Sequence, residues 1–592
     1  MSTKPGNFNP EIHVTDYRAQ FEEYRTGCDD LISIDGRDTE SLNGKWHFYA
    51  DPIEYLLRGG WYKEVRTDEK GREKPCDYDF EAMDEIKVPA CWNTERPDLF
   101  LYENMGVYFR TFKYVKHHEG ERLFLHFEGV AYRAYVFLNG EPIAMHDGAS
   151  TPFSVEITDK VKENNRILIG VDAKRMDNRV PMTNTDWFNY GGIYRDVYIV
   201  RTPSAFIKDW FVRLVPGSGY SEIALDFTVD GCKKGDAVFS IDELGIKEKV
   251  AFDNGNGSIV IKAKPELWSP DNPKLYDVSL SIADGDALSD RIGFREIKVE
   301  GNKILLNGKE VFMKGICCHE DDENLGKSTT PENIRATIKT VKEELNGVFI
   351  RLAHYPHTRL FSKIADEMGI MLWEEIPVYW AIAFDNEKTY KDAENQLGEL
   401  IMRDRNRASV VIWSVGNENP DTDARLAFMS GLASYARSLD NTRAISAACL
   451  VDEVGEKIDD RLAEKLDIIG INEYYGWYNP DFSKLGRVLG NSNPSKPVII
   501  TETGAGARAG NHGTSDMLWT EEFQEDFYKK QVAEIGACSY IKGMTPWILY
   551  DFRAQRRFNH YQEGFNRKGL IDSDHKTKKK AFRILSDFYK TK

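Results

Sequence analysis

The chain has 592 residues, 41% hydrophobic and 29% charged, which is enough apolar material for several cores and sets a length prior of about four domains. A formal net charge of −17 argues against a nucleic-acid partner, because phosphate neutralisation needs a basic face. There is no apolar run of about 18 residues to span a bilayer, and Met1-Ser2-Thr3-Lys4-Pro5-Gly6 has no hydrophobic stretch behind it, so neither a membrane partner nor a signal peptide is expected.

The cysteines (Cys28, Cys76, Cys91, Cys232, Cys317, Cys318, Cys449, Cys538) form no CxxC pair, and adjacent Cys317 and Cys318 are poorly placed to bond to each other. Free thiols in a reducing cytoplasm are expected. The aromatic content of 12% suits sandwich cores or sugar stacking, and composition does not separate the two. The basic run Lys576–Lys580 reads as a solvated helix start.

In chain order, residues 1–203 read as β. Leu123–Glu128 and Ala134–Leu138 are short strands, the second ending in the turn signal Asn139-Gly140, and Val155–Ile157 and Ile167–Val171 follow. This predicts a jelly-roll β-sandwich. Residues 204–297 continue in short strands (Phe211–Val215, Ile223–Phe227, Tyr276–Leu280), a length that suits an immunoglobulin-like sandwich. From 298 to 592 the texture changes. Apolar runs at Val311–Ile316, Val348–Leu352, Ile370–Trp373, Val410–Val415, Ala444–Ala448, Ile468–Ile471, Val498–Thr501 and Met544–Leu549 alternate with helical stretches such as Pro331–Glu344 and Gln396–Asn406. Eight β/α units in about 240 residues predict a (β/α)8 TIM barrel, whose chemistry sits where the strands end.

Strand four ends in Asn417-Glu418 and strand seven in Glu502. A carboxylate at the tip of a buried strand is costly unless it has partners or work to do. Two on facing strands can flank a glycosidic bond; at about 5–5.5 Å apart they make a retaining glycosidase, with their pKa values pushed apart. Other polar groups close the remaining strands: His319-Glu320-Asp321, Arg351 and His354, Glu374-Glu375, and Asn472 with Tyr474 and Tyr475. Trp547, placed in strand eight, offers a face for a sugar. The run His319–Glu323 reads as a hydrogen-bond network and no metal site is expected. The glycine-rich Gly504–Gly510 lacks the GxGxxG spacing and reads as an active-site loop.

Val415-Gly416-Asn417-Glu418 after Arg403-Asp404-Arg405-Asn406, Ile500-Thr501-Glu502-Thr503-Gly504, His319-Glu320-Asp321 and His354-Tyr355-Pro356 resemble glycoside hydrolase family 2. Leu42-Asn43-Gly44-Lys45-Trp46, Val88–Asn93 and Thr151-Pro152-Phe153 resemble its sugar-binding sandwich. The resemblance covers nearly the whole chain. It implies Glu418 as general acid/base, Glu502 as nucleophile, Tyr474 as the residue orienting the nucleophile, and His319 and His354 as pocket lining, beside Asn417.

Three stretches narrow the resemblance to the bacterial β-glucuronidases of that family. Asp186–Ile193 contains an Asp186 that would reach the sugar hydroxyls. Asn472–Tyr478 supplies Asn472 and Tyr478 as sugar contacts. Asn566-Arg567-Lys568 matches the family's uronate motif. A glucuronide differs from a glucoside by a carboxylate, and drawing that anion out of water needs a fixed cation and donors, here Lys568 and Asn566. A glucoside would leave Lys568 buried and unpaired.

Two departures stand out. Where well-known members carry an arginine, this chain has Gln562, with Arg556, Arg557 and Arg567 as substitutes. The long loop after strand three is absent, since Ile376–Gln396 is short, so the acceptor side is open to larger conjugates. The resemblance implies glucuronide conjugates or uronic-acid-terminated oligosaccharides as partners and a homo-oligomer as assembly. No cofactor is required; some short-loop members carry flavin mononucleotide away from the catalytic site, and no motif here demands it. The alternatives are β-galacturonidase or β-galactosidase of the same family and, from another class, a non-catalytic carbohydrate-binding protein.

Overall fold

The computed structural model describes residues 17–63, 65–67, 70–74, 79–283 and 285–592. Cys76 and the first residues of the chain lie outside them. The other seven cysteines are free thiols, and no helix among the described residues is long and apolar enough to cross a membrane.

The first unit is a sandwich of a six-stranded and a four-stranded sheet. Trp46, Trp92, Tyr108, Leu125, Phe127, Val136 and Ile169 fill the space between them, because alternate side chains along each strand point inward. Asn139 and Gly140 turn the hairpin between Arg133–Leu138 and Glu141–Asp147 with φ of 53° and 88°, the left-handed pair that a two-residue hairpin needs. The second unit has seven strands. Ile246–Asp253 and Asn256–Lys262 pair only at Phe252–Gly257 and Asp253–Asn256, so the sheet parts there into two layers around Phe227, Phe239 and Leu280.

A small meander (Ile297–Glu300, Lys303–Leu306, Lys309–Glu310) leads into a closed barrel of eight parallel strands. In order these are Met313–Cys318, Phe349–Leu352, Met371–Glu375, Val410–Asn417, Ala444–Cys449, Ile469–Asn472, Val498–Glu502 and Ile541–Met544. The last differs from expectation. Lys542 and Gly543 interrupt its apolar pattern, so the run Met544–Leu549 drew attention to the segment after it. Trp547 therefore lies beyond strand eight and not in it.

The second sandwich packs under the bottom of the barrel, where Trp268 meets Met313, Phe349 and Met371 and its indole donates to the Asp366 carbonyl at 2.9 Å. The first sandwich grips the side and top. His146 bonds Glu399 at 3.0 Å, Arg195 pairs with Glu320 at 2.6 Å, and the Phe188 amide donates to the Arg553 carbonyl at 3.0 Å. Trp187 is thereby set over the barrel mouth.

The basic run near the C-terminus is not wholly solvated. Lys579 is buried, and its Nζ donates to both Asp551 oxygens at 2.7 and 2.9 Å and to the carbonyls of Ala507 and Arg567. A long side chain with four acceptors pins the final helix, Ala581–Lys590, to the loops that follow strands seven and eight. Lys579→Met leaves Asp551 short of its main counter-charge and should lower unfolding free energy by about 3 kcal/mol, read as a drop in the denaturant midpoint of the barrel transition.

Candidate active site

The ends of the barrel strands converge on Arg351, which is fully buried. Its position inside the apolar strand Phe349–Leu352 aims the guanidinium into the barrel. Nη1 donates to Glu502 Oε1 at 2.8 Å and to the Thr501 carbonyl at 3.1 Å. Nη2 donates to Glu375 Oε1 at 2.9 Å and to Asn417 Oδ1 at 2.7 Å, and Nε to Glu375 Oε2 at 3.2 Å. One cation is thus shared by two carboxylates.

The two respond in opposite directions. Burial alone would raise both. Glu375 is held down at about 2 by Arg351, by His354 Nδ1 at 2.8 Å and by their hydrogen bonds; the Trp373 indole also donates to it at 2.8 Å. Glu502 is pushed up to about 7, first by burial and then by the charge of the facing Glu418, against Arg351 and the Tyr474 hydroxyl. That hydroxyl donates to Glu502 Oε2 at 2.6 Å. His354, lowered to about 4 by its burial, is neutral. With Nδ1 on Glu375, its Nε2 faces Glu502 at 3.6 Å, too far for a hydrogen bond.

Glu418 follows strand four in a left-handed conformation, φ 52°, and its amide donates to the Ala448 carbonyl at 2.9 Å. That turn carries the side chain off the strand and into the mouth, where the Trp380 indole donates to its Oε2 at 2.6 Å. Asn417 accepts from Arg351 and from Asn472 Nδ2 at 3.1 Å. Its own Nδ2 is buried and has no partner among the described residues, and neither has His319 Nε2. Buried groups left unpaired in this way suit a ligand's hydroxyls.

On the other side of Tyr474 lies Lys568, 3% exposed. Its Nζ donates to the Tyr478 hydroxyl at 2.7 Å and sits 5.5 Å from the Tyr474 ring centroid. Burial of the hydroxyl end would raise the Tyr478 phenol, but the Lys568 ammonium outweighs it and holds the phenol below its ordinary value; the residue as a whole is exposed. Asn566 orders this corner, accepting the Lys568 amide at 3.2 Å and donating to Asp186 Oδ2 at 3.3 Å.

The structure brings Glu418, Glu502, Tyr474, His319, His354, Asn417, Trp547, Asn566 and Lys568 together, with Tyr478 at the rim. Trp547 stacks on His354 with centroids 4.9 Å apart. The two other expected sugar contacts, Asn472 and Asp186, are also held by neighbouring side chains. Asn472 has both ends of its amide engaged, by Asn417 and by the Thr501 hydroxyl at 2.7 Å, so it holds Asn417 in place. Asp186 is gripped by two of the three Arg557 guanidinium nitrogens, Nε at 2.9 Å and Nη2, as well as by Asn566.

Of the candidate substitutes for an arginine at 562, Arg557 stands at Asp186 and Arg556 stacks on Trp380 at 4.9 Å. Arg567 is turned away toward Asp551 and Asp572. Gln562 accepts from Asn559 at 2.7 Å. Sequence reasoning missed Trp380 and the pocket role of Trp187, which sit in loops with no periodicity to expose them. The roles of Arg351 and Glu375 had a signal, charged residues in otherwise apolar strands.

Residues 39–203 match the sugar binding domain of glycosyl hydrolases family 2, residues 205–295 a second domain of that family, and residues 297–591 its TIM barrel domain. The chain belongs to glycoside hydrolase family 2. It is an enzyme, and the non-catalytic alternative falls away. It is 28% identical to a β-glucuronidase of Paenibacillus borealis, over 93% of this chain and 96% of that protein. It is similar in structure to a β-galacturonidase from Eisenbergiella tayi bound to galacturonate, with TM-score 0.81, 26% identity and 97% and 99% of the two chains covered. An uncultured Clostridium β-glucuronidase gives TM-score 0.82 and 25% identity over 94% and 98%.

In the nucleophile's role that the resemblance implies, Glu502 must be ionised to attack, and its pKa is pushed up to about 7. kcat/KM should therefore fall as pH drops through about 7. Tyr474→Phe removes a donor to the charged form, which raises the Glu502 pKa and moves that acidic limb to higher pH by about one unit. A pH–rate profile of both proteins checks the direction.

Proposed function

We propose that the chain is a retaining β-glucuronidase. Glu418 protonates the leaving oxygen while a Glu502 oxygen attacks the anomeric carbon, so that the glycosidic bond breaks and a glycosyl-enzyme ester forms. Glu418, now ionised, takes a proton from water, whose oxygen displaces Glu502 and releases the sugar in its original β configuration. Asn417 and His319 offer free polar atoms to the ring hydroxyls, and the faces of Trp547 and Trp187 wall the pocket.

Lys568 carries the substrate assignment. A buried ammonium whose one hydrogen-bonding partner among the described residues is a phenol is short of counter-charge. The uronate C6 carboxylate supplies it, with Tyr478 alongside. The β-glucuronidase relative that matches along nearly its full length supports the same reading. The segment between strand three and the helix Glu387–Asp404 is short, leaving an open acceptor side that suits uronic-acid-terminated oligosaccharides as well as small conjugates. The free thiols fit the cytoplasm.

A second reading, β-galacturonidase, has its own observation: Arg557 grips Asp186 while Gln562 turns toward Asn559, a corner unlike the arginine-bearing one in the motif. The structural likeness to a β-galacturonidase is in keeping with it. Paired 4-nitrophenyl β-glucuronide and β-galacturonide assays separate the two. On the preferred uronide, Glu502→Gln should lower kcat by about 10⁴-fold or more. Lys568→Ala should lower the preference for glucuronide over glucoside by about 100-fold; an unchanged ratio would overturn the assignment of Lys568.

A further inference from the structure

We propose that Trp380 is a positioning residue that decides which oxygen of Glu418 carries the acid proton. The inference rests on Glu418 being the acid/base of the reading above. Trp380 lies in the short segment after strand three, and its backbone is bound to the end of strand four on both sides of Glu418. The Trp380 amide donates to the Asn417 carbonyl at 2.9 Å, and the Asn417 amide donates to the Val378 carbonyl at 2.9 Å. Beyond Glu418, Asn419 Nδ2 donates to the carbonyls of Trp380 at 2.7 Å and Val378 at 3.2 Å.

Both partners are held in a conformation that side chains of their size rarely adopt. Trp380 has φ 54° and Glu418 φ 52°. Left-handed backbone at a bulky residue persists only where the surroundings over-determine it, and such places cluster at functional sites. The indole is also packed against the Tyr379 ring at 4.4 Å and the Arg556 guanidinium at 4.9 Å. Its Nε1 cannot swing away from Glu418 Oε2, which it meets at 2.6 Å.

An indole N–H donates and never accepts. Glu418 Oε2 must therefore present a lone pair to it in every protonation state. A proton on Oε2 would have to compete with the N–H for that oxygen, so the acid form of Glu418 carries its proton on Oε1. In the first step that proton passes from Oε1 to the leaving oxygen. In the second, Oε1 takes one from water, while Oε2 stays on Trp380 throughout. Proton transfer is confined to one oxygen, and the carboxyl plane is fixed before substrate arrives, which is the preorganisation general acid catalysis needs.

The test separates acid catalysis from pocket shape. Trp380→Phe keeps a ring against Tyr379 and Arg556 and removes the donor. Replacing the indole by its isosteric benzothiophene removes the donor with the shape unchanged, and serves if the phenylalanine variant does not fold. kcat/KM, which reports the first chemical step, is measured on a phenyl β-glucuronide, whose leaving group needs a proton, and on a 2,4-dinitrophenyl β-glucuronide, whose leaving group does not. The expected result is a loss of about 10- to 100-fold on the phenyl substrate and a loss at least about tenfold smaller on the dinitrophenyl one. Equal losses on both, or none on either, would overturn the proposal. Glu418→Gln is the control for the reading beneath it and must show the same selectivity more strongly; a non-selective loss there removes Glu418 as the acid, and the role of Trp380 with it.

Discussion

The site depends on one buried guanidinium shared by two carboxylates. Arg351 reaches from strand two to groups on strands three, four and seven. A lone charge at that depth would be very costly, and so would either glutamate without it. The sharing is unequal. Glu375 takes two of the donors and has His354 and Trp373 besides, so it stays firmly anionic. Glu502 receives one, and faces a second acidic side chain across the mouth. It is the under-compensated member, and burial and the facing Glu418 push its pKa up. Reactivity follows from where the charge is left short, and the same hydrogen bonds that fix the strand ends decide which carboxylate that is.

The pattern of layers was open to reading because burial leaves a period in the sequence. Strands with both faces covered are unbroken apolar runs, and seven of the eight in the barrel stood where those runs are. The eighth was misplaced because its four residues include Lys542 and Gly543, while the apolar stretch beyond it, containing Trp547, is a loop that happens to be buried. Lys579 misled for the mirror reason. A run of lysines looks solvated, yet one of them turns inward to Asp551, and nothing in a composition window distinguishes it from its neighbours.

Strand ends were legible for the same reason that strands were. Glu418 and Glu502 are polar interruptions at the tips of apolar runs, and the loop motifs around Asp186 and Asn566 were carried by resemblance. What sequence did not yield was the wiring between segments far apart in the chain. Arg557 on Asp186, Trp187 against Tyr379 and Trp380 on Glu418 are pairings that local pattern cannot express. The partners that Asp186 and Asn472 find among neighbouring side chains are of the same kind.

The corner where Asp186, Asn566 and Lys568 meet joins a loop of the first sandwich to the segment that follows barrel strand eight. All eight barrel strands end by Met544, and the ammonium and the amide that finish the pocket come only in the segment after them. The polar corner that would meet the sugar's far end is thus assembled from two parts of the chain that no single fold unit contains.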